Sequence, residues 1–209
     1  MLPTDTQKNT CYAFAKEKGL REIEEYALAL GGHFVDDVEP VDGARIAVEE
    51  YTWERVPVDG SAHDHTWTRR GPEVRTTVVA VDGPDAVVES GLRDLVVLTS
   101  TGSEFAGFLR DRYTTLQETH DRIMATSLTA TWRSAGLAVD WDKTWADVRR
   151  ILLEQLATVH SLALQQTLRE MGRAVLEAHP EITEIALSAP NKHHFVIRAA
   201  NATNGTFGQ

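Results

Sequence analysis

A single cysteine, Cys11, occurs in the 209 residues. That count excludes an internal disulfide and a cysteine-rich metal site, and it makes a reducing, cytoplasmic setting the default expectation. No apolar run is long enough to span a bilayer, so no membrane partner is expected. The start lacks a basic segment followed by an apolar stretch, so no signal peptide is expected either. The ending Thr206-Phe207-Gly208-Gln209 is not of the peroxisomal type. Glycine-rich phosphate loops, dinucleotide fingerprints and nucleophile elbows are all missing. Basic residues are the minority: 21 Lys and Arg stand against 31 Asp and Glu, a formal net charge of −10. Such a balance argues against nucleic acid. An anionic ligand would have to be held by local cations against the global field. What is present is a composition of 42% hydrophobic and 25% charged residues. It suffices for an ample core in one large domain or two small ones.

Helical and strand signals then alternate in blocks. Thr4 with Gln7 three residues later predicts a capping box with Thr4 as N-cap. Cys11, Phe14 and Ala15 form one apolar stripe, and Ile23, Tyr26, Ala27 and Leu30 a second, closed by Gly31-Gly32. Residues 44–56 and 73–81 read as strands joined by a polar loop, with Val74, Thr76, Val78 and Ala80 on one side of the second. Another β-rich run covers 86–99, interrupted at Gly91-Leu92-Arg93-Asp94. Residues 113–122 look helical, and Leu128, Ala130 and Trp132 alternate as in a half-buried strand. Trp145, Val148, Leu152 and Leu156 predict a helix over 142–160, with Thr144 to Asp147 capping its start. Leu164, Leu168, Met171 and Val175 predict another over 162–178, ended by His179-Pro180. Two short strands, 182–187 and 193–197, close the chain. The order αα-ββ followed by ββ-αα-ββ is a weak internal repeat. It predicts an α+β protein with antiparallel sheets and helix pairs on one face, divided into units 1–84 and 85–209. The first unit lacks an opening strand pair.

Several clusters admit a chemical reading beside an ordinary one. In Thr99 to Arg122, Phe105 and Phe108 flank Gly107 in a polar stretch, and Arg122 follows. The segment suits either a flat wall and a guanidinium fork for a planar anion, or an aromatic mini-core with a solvated arginine. Spacing alone favours the second. Gln165, beside the stripe residue Leu164, offers a donor and an acceptor in one plane, or is simply an exposed helix glutamine. In Pro190 to Phe195, the adjacent His193 and His194 point to opposite faces of a strand and cannot easily share a metal. His63-Asp64-His65 could ligate zinc, but it has no second cluster at suitable spacing, so a solvated loop is expected.

The strings themselves carry more than their spacing. STGSEFxGFxRDxYTTLxETxDRI, HSLALQQTLxEMGRAV, PNKHxF and TDTQKNTxYAFA resemble the urate oxidase (uricase) family of bacterial type, over nearly the whole chain. The resemblance implies the tunnelling fold (T-fold), with tandem ββααββ units assembled as a homotetramer. It implies oxidation of urate by O₂ and water to 5-hydroxyisourate and H₂O₂, without metal or organic cofactor. Phe105 would stack on the purine, with Arg122 gripping one edge and the Leu164 N–H and Gln165 the other. Asn191 would sit where O₂ and water bind, and His193 would join a proton relay, with His194 a bystander. Thr4, reaching in from a neighbouring subunit, would contact substrate and relay protons, assisted by the Asp5 backbone.

Two departures accompany the resemblance. Family members begin with two strands, the first carrying a lysine that pairs with the threonine matching Thr4. Here the sequence starts just before Thr4, and after Arg198 it drifts from the family pattern. The expectation is a truncated chain that alone has little urate oxidase activity. The alternatives are a non-catalytic purine-binding or assembly remnant of the same fold, and a pterin-processing relative working by proton transfer, in some cases with zinc.

Overall fold

The computed structural model describes residues 2–192. The expected last strand, His193 and His194 lie outside them. Four helices and seven strands follow in the order α1 (Thr4–Lys18), α2 (Ile23–Asp36), β1 (Gly43–Glu50), β2 (Trp53–Val58), β3 (Ser61–Arg69), β4 (Val74–Asp82), β5 (Asp85–Thr99), β6 (Met124–Ser134), α3 (Trp141–Thr158), α4 (Leu164–Ala178) and β7 (Ile182–Ser188). Among the described residues five strands form one antiparallel sheet, β1-β4-β5-β6-β7, and β2 pairs with β3 in a second. The chain is therefore α+β.

One face of the sheet carries the helices. Under α3 and α4, Leu92, Leu128, Trp132, Leu152, Met171 and Val175 make the larger core, and Ala27, Val79, Val81, Val88 and Trp141 make a second one under α2. Among the described residues no helix covers the opposite face, where Val87, Val96 and Leu98 are about half exposed. At Gly91 the sheet is too tight for any side chain, since a Cβ there would meet the Ala130 carbonyl oxygen at 2.7 Å and Thr76 Oγ1 at 2.8 Å. The interruption expected at Gly91 to Asp94 is a register shift between Leu92 and Leu95 inside a single 15-residue strand. Asp94 takes φ of 58° there, as a bulge allows. The expected unit boundary at residue 84 falls in the Gly83-Pro84 turn between β4 and β5, and the sheet passes through it unbroken.

Several local expectations are corrected. The polar stretch after Pro57 is not a loop but the hairpin β2–β3, turned by Asp59-Gly60 with φ of 50° and 79°. Positive φ at both central residues is what a two-residue hairpin turn demands. The run before Arg122 is not helical. The Asp111 carboxylate accepts from the Tyr113 N–H and from the Thr114 hydroxyl, both at 2.9 Å, and such local bonds compete with a helix. Helix α1 does begin at Thr4, but Pro3 is its N-cap, and Thr4 makes no capping bond. Proline has no N–H for a capping box to satisfy, and the Gln7 side chain donates instead to the Leu2 carbonyl at 3.2 Å. Helix α3 is capped by Asp140, whose Oδ1 accepts from the Lys143 N–H at 3.1 Å, rather than by Thr144 to Asp147.

Candidate active site

The loop between β5 and β6 is irregular but tied down along its length. The Phe105 and Thr119 backbones exchange two hydrogen bonds, of 2.7 and 3.0 Å. The Gly107 N–H donates to Glu118 at 3.1 Å, and Thr101 donates to Asp121 at 2.7 Å. A second set of bonds joins the loop to the α3–α4 connection: the Glu104 N–H donates to the Ser161 carbonyl at 2.7 Å, and the Ser161 N–H to the Gly102 carbonyl at 3.4 Å. The loop is thereby docked against the start of α4. After β7 the chain returns to the same place. The Lys192 N–H donates to the Ala125 carbonyl at 2.8 Å, and Thr126 Oγ1 donates to the Pro190 carbonyl at 2.9 Å.

These three approaches enclose a cavity of about 420 Å³ whose lining includes Phe105, Arg122, Met124, Leu164, Gln165 and Asn191. Phe108 stacks on Phe105 with centroids 4.9 Å apart, and Phe105 lines the cavity. The Arg122 guanidinium carbon lies 5.4 Å from the Phe105 centroid. Its Nε donates to Ser103 Oγ at 3.0 Å, and among the described residues its two terminal nitrogens find no protein partner. A guanidinium held at Nε with its other edge free is a fork aimed at a ligand. At the same cavity, Ala163 caps α4 without a side-chain bond. The first N–H groups of the helix, Leu164 among them, are left without intrahelical acceptors and favour an anion. The Gln165 amide lies beside them. Such an arrangement can hold a flat, anionic, hydrogen-bonding ring between an arginine and a helix start.

Of the sequence-derived residues, Phe105, Arg122, Leu164, Gln165 and Asn191 share this cavity. Thr4 and Asp5 do not: α1 packs on α2, where the Tyr26 hydroxyl donates to the Cys11 carbonyl at 2.9 Å, and it contributes no lining residue. His193 lies outside the described residues. His63 and His65 meet edge to face on β3, with centroids 4.5 Å apart, and among the described residues no third ligand completes a metal site there. Sequence reasoning missed Ser103, Ser161 and Thr167, all buried beneath the cavity. Only their small size in otherwise polar strings could have singled them out.

Beside the cavity, two histidines converge on one carboxylate. Glu104 accepts from His160 Nε2 at 2.7 Å and from His120 Nδ1 at 3.2 Å. Those bonds, His160 first, pull the Glu104 carboxyl below its ordinary value of 4.5. A carboxyl depressed on folding stabilises the loop above its ordinary pKa and loses that contribution as pH falls through the lowered value. The expected result is a rim that stays closed to below pH 4.5 and opens on further acidification, with Glu104→Gln abolishing that step. Amide resonances of Glu104 and Phe105 followed through an acid titration test it. An unchanged profile in Glu104→Gln would show that the carboxylate does not hold the rim.

Fold and cavity together define an α+β protein with a pocket at a helix start, and the comparisons make the class specific. The sequence model of the uricase family matches residues 1–80 and 88–207. The uricase of Arthrobacter globiformis is 51% identical over 197 residues, covering 94% of this chain and 64% of that protein. The Danio rerio uricase is 37% identical, covering 94% of this chain and 68% of that protein. The crystal structure of the Arthrobacter globiformis uricase superposes with a TM-score of 0.87 at 51% identity, over 95% of this chain and 67% of that one. A uricase from Bacillus fastidious shares the fold at a TM-score of 0.79. The chain belongs to the uricase family and has its T-fold. It spans about two thirds of the length of the relatives it matches.

Proposed function

We propose that this protein is a urate oxidase, acting on urate with O₂ and water to give 5-hydroxyisourate and H₂O₂. The observation that carries the reading is the cavity itself. A phenyl ring, a guanidinium whose terminal nitrogens have no partner among the described residues, a helix start and a side-chain amide meet at one cavity. Urate stacks on Phe105. The terminal nitrogens of Arg122 hold one edge, and the Leu164 N–H and the Gln165 amide hold the other. Binding in a desolvated slot places the anion as an electron donor to O₂, which occupies the niche beside Asn191. Proton transfer falls to Thr4, its backbone neighbour Asp5 and His193.

Thr4 enters from a second copy of the chain, in a homotetramer. This is supported by the exposed start of α1, which turns no residue into its own cavity, and by the open sheet face with Val87, Val96 and Leu98. The helix pairs mark two units, 1–84 and 85–209, sharing one sheet. A cytoplasmic setting accords with the single cysteine; among the described residues no helix is long and apolar enough to cross a membrane.

The test is to add urate to the purified chain in air and follow its ultraviolet absorbance together with O₂ and peroxide. At whatever rate the chain sustains, one O₂ should be consumed and one H₂O₂ formed per urate lost. Failure of urate to bind would overturn the reading. Binding with no O₂ uptake would instead identify a purine-binding protein.

A further inference from the structure

Beneath the cavity lies a chain of buried hydroxyls that the binding reading does not use. Ser103 is wholly buried, as is Thr167, and Ser161 and Met124 are nearly so. Thr167 Oγ1 donates to Ser161 Oγ at 2.8 Å, and Ser161 Oγ in turn lies 3.8 Å from Met124 Sδ. From the other side Arg122 Nε donates to Ser103 Oγ at 3.0 Å, and Ser103 Oγ lies 3.9 Å from the same sulfur. The direction at Ser103 is fixed by chemistry. A guanidinium can only donate, so Ser103 must accept from it, and its own proton is then free for the thioether, a weak acceptor. One sulfur thus gathers two hydroxyls, one fixed to the cavity's arginine and one fixed to the first turn of α4. Ser103 grips Arg122 a second time, its carbonyl accepting the Arg122 N–H at 3.0 Å.

We propose that Ser103 is a positioning residue: its buried hydroxyl sets the plane of the Arg122 fork, and the sequence Ser103–Met124–Ser161–Thr167 fixes the gap between that fork and the start of α4. The proposal rests on the binding role given to Arg122 above. Without the Ser103 hydroxyl, Nε–H would have to seek a new partner. The guanidinium would turn to find one, and the free edge would leave the plane of the ring it is meant to hold. Rotation rather than loss of charge is the defect, so the charge would still be present while the bidentate geometry was lost.

The test reads the arginine directly and the ligand separately. In the ligand-free protein, the Nε–H signal of Arg122 should exchange with water about tenfold or more slowly than that of the exposed Arg112, as a buried bond to a charged donor implies. Ser103→Ala should abolish that protection, while Ser161→Ala, which touches the same sulfur but not the arginine, should preserve it. Anaerobic titration with urate should show Ser103→Ala binding about tenfold more weakly than wild type, in line with one lost charge-assisted bond, with Ser161→Ala less affected. If Arg122 Nε–H exchanges as fast as Arg112 in the wild type, or if Ser103→Ala leaves its protection unchanged, the proposal is overturned. Equal losses in Ser103→Ala and Ser161→Ala would also overturn it, since that is the mark of a merely structural role. Protection lost in Ser103→Ala while wild type fails to bind urate would uphold the positioning of Arg122 and overturn the urate reading alone.

Discussion

Arg75→Ala is expected to destabilise the fold by about 3–5 kcal/mol, the cost of stranding a buried charge. Glu24 sits at the start of α2 with no exposure at all, facing the sheet. Its Oε2 accepts from Arg75 at 2.7 Å and its Oε1 from the Ser90 hydroxyl at 2.7 Å. Arg75, with its side chain 10% exposed, also pairs with Asp142 at the start of α3 and with Glu50 at 3.7 Å, and it lies 5.5 Å from the Trp145 ring. Burial works to lower the Arg75 pKa, but Glu24, Asp142 and Glu50 outweigh it and hold it above its ordinary value. One arginine therefore joins α2, the sheet and α3, beside a second link in which Glu22 accepts the Asp142 N–H at 2.9 Å. Alanine at 75 would leave the Glu24 carboxylate in a dry interior with one serine. Denaturant unfolding measures the loss. Removing both charges in Glu24→Gln/Arg75→Met should cost less than removing Arg75 alone, because no charge is then left uncompensated. A stability for Arg75→Ala within about 0.5 kcal/mol of wild type, the range of ordinary surface substitutions, would show that this network contributes nothing net.

Nothing in the sequence announces that network. A glutamate beside an apolar stripe reads as solvated, and the stripe Ile23, Ala27, Leu30 was legible while Glu24, one residue on, was not. Burial of a charge depends on a partner 51 residues away, and periodicity reports only local geometry. Where local geometry decides, the sequence was readable. Val148, Leu152 and Leu156 line one face of α3, and Met171 and Val175 one face of α4, as their 3.6-residue spacing requires. In β4 the alternation was visible but the inward face was not: Val79 and Val81 pack under α2, while Val78 and Ala80 stand on the open side. Both faces carry small β-formers, so a period of two cannot say which is covered. The hairpin β2–β3 was hidden for another reason. It is exposed on both faces and held by cross-strand contacts such as Arg55 over Trp67 at 4.5 Å, so it shows no apolar side. Its Asp59-Gly60 turn was the available signal.

The cavity was legible only through its strings. Phe105, Arg122, Leu164, Gln165 and Asn191 come from three separated segments, and no spacing rule brings them together. The family resemblance named them, and the docking of the loop on the α3–α4 connection gathers them around one space. The supporting serines were invisible because a buried hydroxyl and a surface hydroxyl look alike in a sequence.

Arg122→Ala is expected to weaken urate binding by about 2–5 kcal/mol, the cost of truncating one partner of a desolvated charge pair. That corresponds to roughly a 30- to 5,000-fold rise in Kd. One Arg122 nitrogen is spent on Ser103, and among the described residues no carboxylate neutralises the guanidinium. A chain with a net charge of −10 repels urate at long range, so the local cation must supply what the global field opposes. Fold stability should change far less than affinity, because among the described residues Arg122 takes part in no ion pair, and its backbone bond to Ser103 survives the substitution. Arg122→Lys should recover only part of the loss, since an ammonium is a point charge and cannot present two parallel donors to a planar edge. Anaerobic titration with urate, beside thermal melts of both variants, separates binding from folding. A Kd for Arg122→Ala equal to that of wild type would remove the arginine from the site. The helix start and Gln165 would then have to hold the anion alone.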